Sequence, residues 1–328
     1  MQAFVYDKGQ LTIKEMPDPE ITEDHEVIVA LKYAGLNRRD LYIPDRVGPN
    51  KEALILGSDG AGIVEAVGSK VTNVSVGDEV IINPSLRWYQ NSAAPPAGFE
   101  VLGMPDHGTL AEKIVISAEQ LEKKPAYLTW EESGVLALAA LTAYRALVTK
   151  GNLQKGETVF IPGAGSGVAT YLIPFAKKIG AKVIVTSRSE MKQKAALELG
   201  ADLAIATQSD WMDELASEQI DLVIESVGRA TFNRSLNVLK PGGRIVVFGA
   251  TTEDVVDLNL RDFFYGQYQL FGSTMGSREE LRDMLAFMEQ HQLRPKIDSV
   301  YHFTDTMDAL NYLQENQQFG KIAIAINP

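Results

Sequence analysis

Three glycines, Gly163, Gly165 and Gly167, recur at every second position after the apolar run Val159-Phe160-Ile161. Glycines that close together cost conformational entropy and are useful where backbone must turn sharply or approach a ligand. Together with Ala164, Ser166 and Val168 they make a short turn, and an apolar helix pattern follows. N–H groups of such a turn, backed by a helix N-terminus, suit a diphosphate. The strict G-x-G-x-x-G spacing is not met, because Val168 and Thr170 stand where a last glycine would stand. Ala169 is still small enough for close helix–strand packing. An ordinary strand-to-helix turn is the bland alternative.

The next apolar run, residues 183–186, leads into Ser187, Arg188 and, four residues on, Lys192. Dinucleotide sites that take a free ribose 2′-hydroxyl place Asp or Glu about 20 residues past the turn. Residues 181–189 contain no acid. A hydroxyl, a guanidinium fork and an ammonium suit a 2′-phosphate instead. These residues therefore predict NADP(H) over NAD(H). Alternatively, Arg188 and Lys192 only solvate the start of a helix.

These residues need a scaffold, and the pattern around them supplies one. From Thr158 onward, strand candidates at 159–161, 183–186, 203–206, 222–225, 245–248 and 270–272 alternate with helix-period segments. Six apolar strands alternating with helices predict an α/β fold with a doubly wound parallel sheet covered on both faces. Ligands of such sheets sit at strand C-termini. That brings in residues 226–228, Phe248 and Gly249 with Ala250, and Phe271 through Ser273. Pro174 falls inside the helix after the turn, which predicts a kink there. The first 125 or so residues read as short strands at 27–31, 63–67, 80–82 and 114–116 between Gly and Pro signals, the pattern of a small barrel or sandwich. Residues 84–108 read as a long irregular loop. After Gly272 a helix at 278–290, a strand at 300–303, a further helix and a strand at 322–326 complete the chain.

Composition sets limits. The 328 residues carry a net charge of −12, which argues against a nucleic-acid partner. There is no cysteine, so disulfides, thiolate nucleophiles and cysteine zinc sites are excluded. The longest apolar run, 134–144, stops at Arg145 and falls short of the ~20 residues that cross a bilayer. A soluble, cytoplasmic protein with no membrane partner is expected.

Further segments carry a family resemblance over essentially the whole chain. They are Ala34-Gly35-Leu36-Asn37-Arg38-Arg39-Asp40, Gly57-Ser58-Asp59-Gly60-Ala61-Gly62, Val76-Gly77-Asp78-Glu79-Val80, Gly108-Thr109-Leu110-Ala111-Glu112, Leu141-Thr142-Ala143-Tyr144, Lys240-Pro241-Gly242-Gly243 and Gly320-Lys321. The chain resembles the medium-chain dehydrogenase/reductase superfamily, and within it the zinc-independent, quinone-oxidoreductase-like members. The resemblance implies a GroES-like β-barrel catalytic domain, residues 1–138 and 273–328, and a Rossmann domain, 139–272, with the active site between them. It also implies a homodimer or homotetramer. Asn37 would touch the nicotinamide ribose or the substrate carbonyl, and Thr142 and Lys321 would lie near the cofactor. Tyr42 matches a tyrosine that some members place at the substrate, although it also reads as a packing tyrosine. Asp40 reads as a structural acceptor. Trp88 and Tyr89 read as surface aromatics of the loop or as lining of the cleft.

The departures from the zinc members bear on the chemistry. Asn37 and Ser58 stand where those members carry a cysteine and a histidine ligand, and a further cysteine ligand falls near Leu138. None of these side chains binds Zn²⁺ in that way. The histidines, His25, His107, His291 and His302, show no ligand spacing. Without a Lewis acid, hydrogen bonds must stabilise a developing oxyanion. Conjugation in an enone or quinone spreads that charge. The expectation is an NADPH-dependent, metal-free reductase of a small enone, quinone or other carbonyl. An alcohol or aldehyde dehydrogenase of the same fold and a non-catalytic NADP(H)-binding protein are the alternatives.

Overall fold

The computed structural model describes residues 1–48 and 52–327. The chain forms two compact units, Met1–Leu141 with Gly276–Pro328, and Thr142–Met275.

The first unit begins with strands β1 (Gln2–Asp7), β2 (Gln10–Glu15), β3 (Glu26–Gly35), β4 (Leu54–Ile55), β5 (Asp59–Val67) and β6 (Glu79–Ile82). It continues with β7 (Ser85–Leu86), β8 (Glu100–Val101), β9 (Lys113–Ser117) and β10 (Leu121–Lys123). The second unit contributes β11 (Thr158–Ile161), β12 (Lys182–Ser187), β13 (Leu203–Ala206), β14 (Ile220–Glu225), β15 (Leu239–Val247) and β16 (Gln269–Gly272). The chain then returns to the first unit with β17 (Ile297–His302) and β18 (Lys321–Ala325).

In the first unit β3 is the organising strand. Val27, Val29, Leu31 and Tyr33 alternate inward at the period of a pleated strand. One edge of β3 pairs with β5; the other is shared between β9, along Glu26–Ala30, and β18, along Tyr33–Gly35. Backbones here come very close: a Cβ on Gly62 would lie 2.1 Å from the Ala30 carbonyl oxygen, so only glycine fits. Pairing of β18 with the end of β3 brings Lys321, from the chain's tail, beside Leu36 and Asn37.

In the second unit six parallel strands stand in the order β13-β12-β11-β14-β15-β16. Chain order therefore reverses between β11 and β14, and ligands of open parallel sheets bind at the C-terminal ends beside such a reversal. The helix Ala169–Ile179 follows the glycine turn and remains helical on both sides of Pro174.

Several boundaries differ from expectation. β15 starts at Leu239, six residues before residue 245, because Leu239 already pairs with Ile220; Lys240-Pro241-Gly242-Gly243, with Gly242 at φ +79°, bulges out before pairing resumes at Arg244. Residues 84–108 are not wholly irregular, since β7 and β8 pair within them. Trp88 is no surface aromatic: it is 1% exposed, meets Phe99 edge-on, and its indole N–H donates to Ser92 Oγ. Tyr89 does remain exposed. The apolar run at 134–144 is a buried helical segment, Ala137–Tyr144, continued by a π-helical turn, Arg145–Lys150. Among the described residues no helix is long and apolar enough to cross a membrane.

Candidate functional site

The glycine turn links β11 to its helix and is tied down at one end only. The Ala164 N–H donates to the Thr186 carbonyl at 2.8 Å, and the Gly163 N–H reaches Thr186 Oγ1 at 3.4 Å. Gly163 sits at φ +84°, in the left-handed region that favours glycine. Ser166 Oγ accepts from the Ala169 N–H and so caps the first helical turn. The N–H groups of Gly165, Gly167 and Val168 make no hydrogen bond among the described residues. Three unpaired donors at a helix N-terminus fit a diphosphate.

At the end of β12 the Ser187 hydroxyl accepts from the Ser189 N–H, and Ser189 Oγ caps the helix Glu190–Glu198. Arg188 is exposed and has no hydrogen-bond or ion-pair partner among the described residues. Lys192 folds back over the turn: a Cβ on Gly165 would lie 2.7 Å from its Cδ and 3.2 Å from its Nζ. Arg188 and Lys192 are thus in different places, one at the strand end and one against the glycines. The site residues expected here are all in the second unit, and the donors of the turn and the two cations suit an anionic cofactor.

The loop after β14 adjoins this turn, and the loop after β15 adjoins that loop. A Cβ on Gly163 would come within 3.3 Å of Val227 Cγ2. Phe248 donates its N–H to the Glu225 carbonyl, and Gly249 leaves open space, the nearest atom to a Cβ there being Ser226 O at 3.6 Å. Phe271 is half-buried on β16. Thr142 is buried, with its hydroxyl 3.8 Å from Met275 Sδ.

In the first unit the predicted residues meet in a buried polar cluster. Lys321 is 2% exposed, although charge statistics would put a lysine at the surface. Its ammonium donates to the Leu36 carbonyl at 2.9 Å, to Asn37 Oδ1 at 2.6 Å and to Asp59 Oδ2 at 3.0 Å. Those three bonds use all three of its donors. Asn37 Nδ2 donates to the same Asp59 oxygen at 2.9 Å, and Asp59 Oδ1 accepts the Leu138 N–H at 2.7 Å. Asp40 is fully buried; its Oδ2 accepts the Asn37 N–H at 2.7 Å, while Oδ1 has no partner. Burial pushes the Asp40 carboxyl up to about 6, against the pull of Arg39 and of the Asn37 N–H. Arg39 binds Ser58 Oγ at 2.6 Å and the Leu102 carbonyl at 2.7 Å. Tyr42, in contrast, is 39% exposed at the end of the 3₁₀ turn Arg38–Tyr42.

Spacing alone does not single out Asp59 and Glu225, whose carboxylates gather the groups around them. Both have a readable signal: a carboxylate placed directly after Gly57-Ser58, and another closing the apolar strand pattern at 222–225. An acid at the buried end of a strand requires partners that the fold must supply.

Comparison with known proteins agrees with this arrangement. The family model of the zinc-binding dehydrogenases matches residues 167–290, and that of the alcohol dehydrogenase GroES-like domain matches residues 23–126. A zinc-type alcohol dehydrogenase-like protein of Leptosphaeria maculans, YogA, is 32% identical over 98% of this chain and 96% of its own. A solved NAD-dependent alcohol dehydrogenase is 33% identical, with a TM-score of 0.91 over 100% of both chains. The 2-octenoyl-CoA carboxylase reductase CinF, solved with NADP and 2-octenoyl-CoA, is 26% identical, with a TM-score of 0.88 over 99% of this chain and 87% of that one. The donors at Asn37, Ser58 and Leu138 do not fit a zinc ion, because the Asn37 amide oxygen already faces an ammonium and Ser58 faces a guanidinium. A GroES-like unit joined to a Rossmann unit, matched along nearly the full length, shows that this chain belongs to the medium-chain dehydrogenase/reductase superfamily.

Proposed function

We propose that this oxidoreductase binds NADPH and reduces an activated C=C bond or a quinone without a metal ion. One observation carries the reading. At the end of β12 the Arg188 guanidinium is exposed and pairs with no carboxylate among the described residues, which supports its receiving a 2′-phosphate. The N–H groups of Gly165, Gly167 and Val168 hold the diphosphate, with Lys192 against the same turn. Arg188 and Ser187 take the 2′-phosphate. Phe248, Gly249, Phe271 and Thr142 border the nicotinamide half. When bound, NADPH supplies the hydride.

The rest falls to the first unit. Asn37 and Lys321 are fixed by the buried cluster and stay near the cofactor. Tyr42, exposed and hydroxyl-bearing, donates the proton or hydrogen bond to the substrate carbonyl. CinF, with its bound 2-octenoyl-CoA, shows that a related chain handles a conjugated thioester. The NAD-dependent alcohol dehydrogenase relative favours a second reading, an NAD-linked alcohol dehydrogenase.

We further propose a cytoplasmic homodimer or homotetramer. β16 is an edge strand whose Leu270 is 45% exposed, and Leu260, Phe264 and Tyr265 on the helix preceding it in the chain are 68%, 53% and 71% exposed. An open, apolar strand edge is a template for pairing with a second copy.

Fluorescence titration with NADPH and NADH tests the cofactor assignment, and tighter binding of NADH defeats it. A panel of enones, quinones and aldehydes with NADPH tests turnover. Full activity in Tyr42→Phe would remove Tyr42 as the donor.

A further inference from the structure

The carboxylate of Glu225 is fully buried at the C-terminal end of β14, and its bonds all run to loop and helix groups just beyond the strand. Oε1 accepts the Val227 N–H at 2.7 Å and the Gly228 N–H at 3.3 Å. The Thr231 hydroxyl lies 2.9 and 3.0 Å from its two oxygens, and the Ser235 hydroxyl donates to Oε2 at 2.9 Å. Full burial of a carboxylate is costly unless such donors converge on it. This one gathers a six-residue loop into a single shape.

That loop in turn fixes its neighbours. Val227 stands against Gly163 at the start of the glycine turn. Its carbonyl accepts the Thr252 N–H at 2.9 Å and the Thr252 hydroxyl at 2.7 Å, while Ser226 O accepts the Thr251 N–H at 3.2 Å. Gly228, at φ +92°, lies so close to the next loop that a Cβ would come within 2.6 Å of Glu253 O. The connections after β11, β14 and β15 are thus pinned to one another through residues 226–228. In a sheet of this strand order, the β11–β12 side takes the adenosine half of a dinucleotide and the β14–β15 side the other half.

We propose that Glu225 is a positioning residue for the nicotinamide half of the cofactor. It acts through Val227 and the loop after β15 and touches no reacting atom. This rests on the NADPH reading above and extends it to one residue.

The test compares NADPH with adenosine 2′,5′-bisphosphate, which keeps the 2′-phosphate and lacks the nicotinamide half. In Glu225→Leu, which removes every bond to the loop, NADPH should bind about tenfold more weakly or worse. The bisphosphate should stay within about twofold of the parent protein. Glu225→Gln keeps an acceptor for the Val227 and Gly228 N–H groups and should recover most of the NADPH affinity. Should the leucine variant not fold, Thr231→Val removes one donor at constant volume and should cost NADPH alone about threefold. Parallel losses for both ligands mean a merely structural role and overturn the proposal, as does unchanged NADPH binding in a folded leucine variant. If the parent protein prefers NADH, the NADPH reading fails by itself, and the same variants measured with NADH and AMP still decide the role of Glu225.

Discussion

Two regions carry charge in opposite ways. At the end of β12, Arg188 is exposed and has no partner among the described residues, and the nearby turn leaves three N–H groups unpaired. Around β18, Lys321 is 2% exposed and spends all three donors on protein oxygens. The first region is incomplete alone, as a binding site for a large anion should be. The second is closed and already neutralised, as a support should be. Open donors leave a place for a ligand to complete; a buried ion cluster is completed by the fold itself.

The comparison breaks most sharply at Lys321. Lys321→Met leaves Asp59 buried without its cation, and loss of one partner of a buried pair typically costs about 3–5 kcal/mol. Urea unfolding should show that loss. Arg188→Ala should change stability by less than about 0.5 kcal/mol, as surface substitutions usually do. Equal effects at the two sites would remove the distinction.

The buried cluster also has a pH signature. Asp40 has its pKa raised to about 6 by burial, above the value near 3.9 of an unfolded aspartate. A raised carboxyl favours the protonated folded form, so its contribution is present at low pH and is lost as pH rises through about 6. That rise in pKa corresponds to a loss on the order of 3 kcal/mol between pH 4 and pH 7. Asp40→Asn keeps an acceptor for the Asn37 N–H and cannot titrate. Its stability, followed by denaturant unfolding across that range, should lack this decline. A decline of the same size in the variant would assign the effect to other groups.

A smaller effect is expected at the turn. Gly163→Ala forces a Cβ onto a residue at φ +84° and to within 3.3 Å of Val227 Cγ2. The left-handed backbone alone costs about 1–2 kcal/mol. Thermal unfolding should register that cost, and NADPH binding should weaken if the turn relaxes to a different shape. An alanine variant as stable as the parent would mean that the turn is not held in that conformation.

Much of this was legible in the sequence, and unevenly so. The six parallel strands could be read because apolar runs bounded by turns recur with helical segments between them, and that pattern is local. The glycine turn and Arg188 could be read for the same reason, since strand, turn and strand end lie within 30 residues of one another. The cluster around Lys321 could not be assembled from spacing. Asn37, Asp59 and Lys321 come from three distant segments, and only the pairing of β18 with β3 brings the last of them in. A resemblance pointed to Lys321, but charge statistics placed it at the surface. The surface reading of Trp88 fails because the prolines and glycines of residues 84–108 suggest an open loop, whereas packing against Phe99 buries the ring. From the sequence Glu225 reads only as the end of a strand, because its partners lie on the loop and helix that follow, brought to it by the fold.

The most specific predicted effect falls on cofactor choice and leaves the fold nearly untouched. If Arg188 receives a 2′-phosphate, Arg188→Ala removes one charge-assisted contact that NADPH makes and NADH does not. Such a bond is worth about 1.5–3 kcal/mol at most, less where solvent screens it, so NADPH should weaken about tenfold while NADH is unchanged. Lys192→Met gives the contrast. Its ammonium lies against Gly165, so its loss should weaken both cofactors if it serves the diphosphate, and NADPH alone if it swings to the 2′-phosphate. Added salt should narrow the NADPH preference of the parent protein and leave that of Arg188→Ala nearly flat, because an exposed cation is screened over about 10 Å at 0.1 M salt. An Arg188→Ala protein that still prefers NADPH as strongly as the parent would show that the end of β12 does not choose the cofactor.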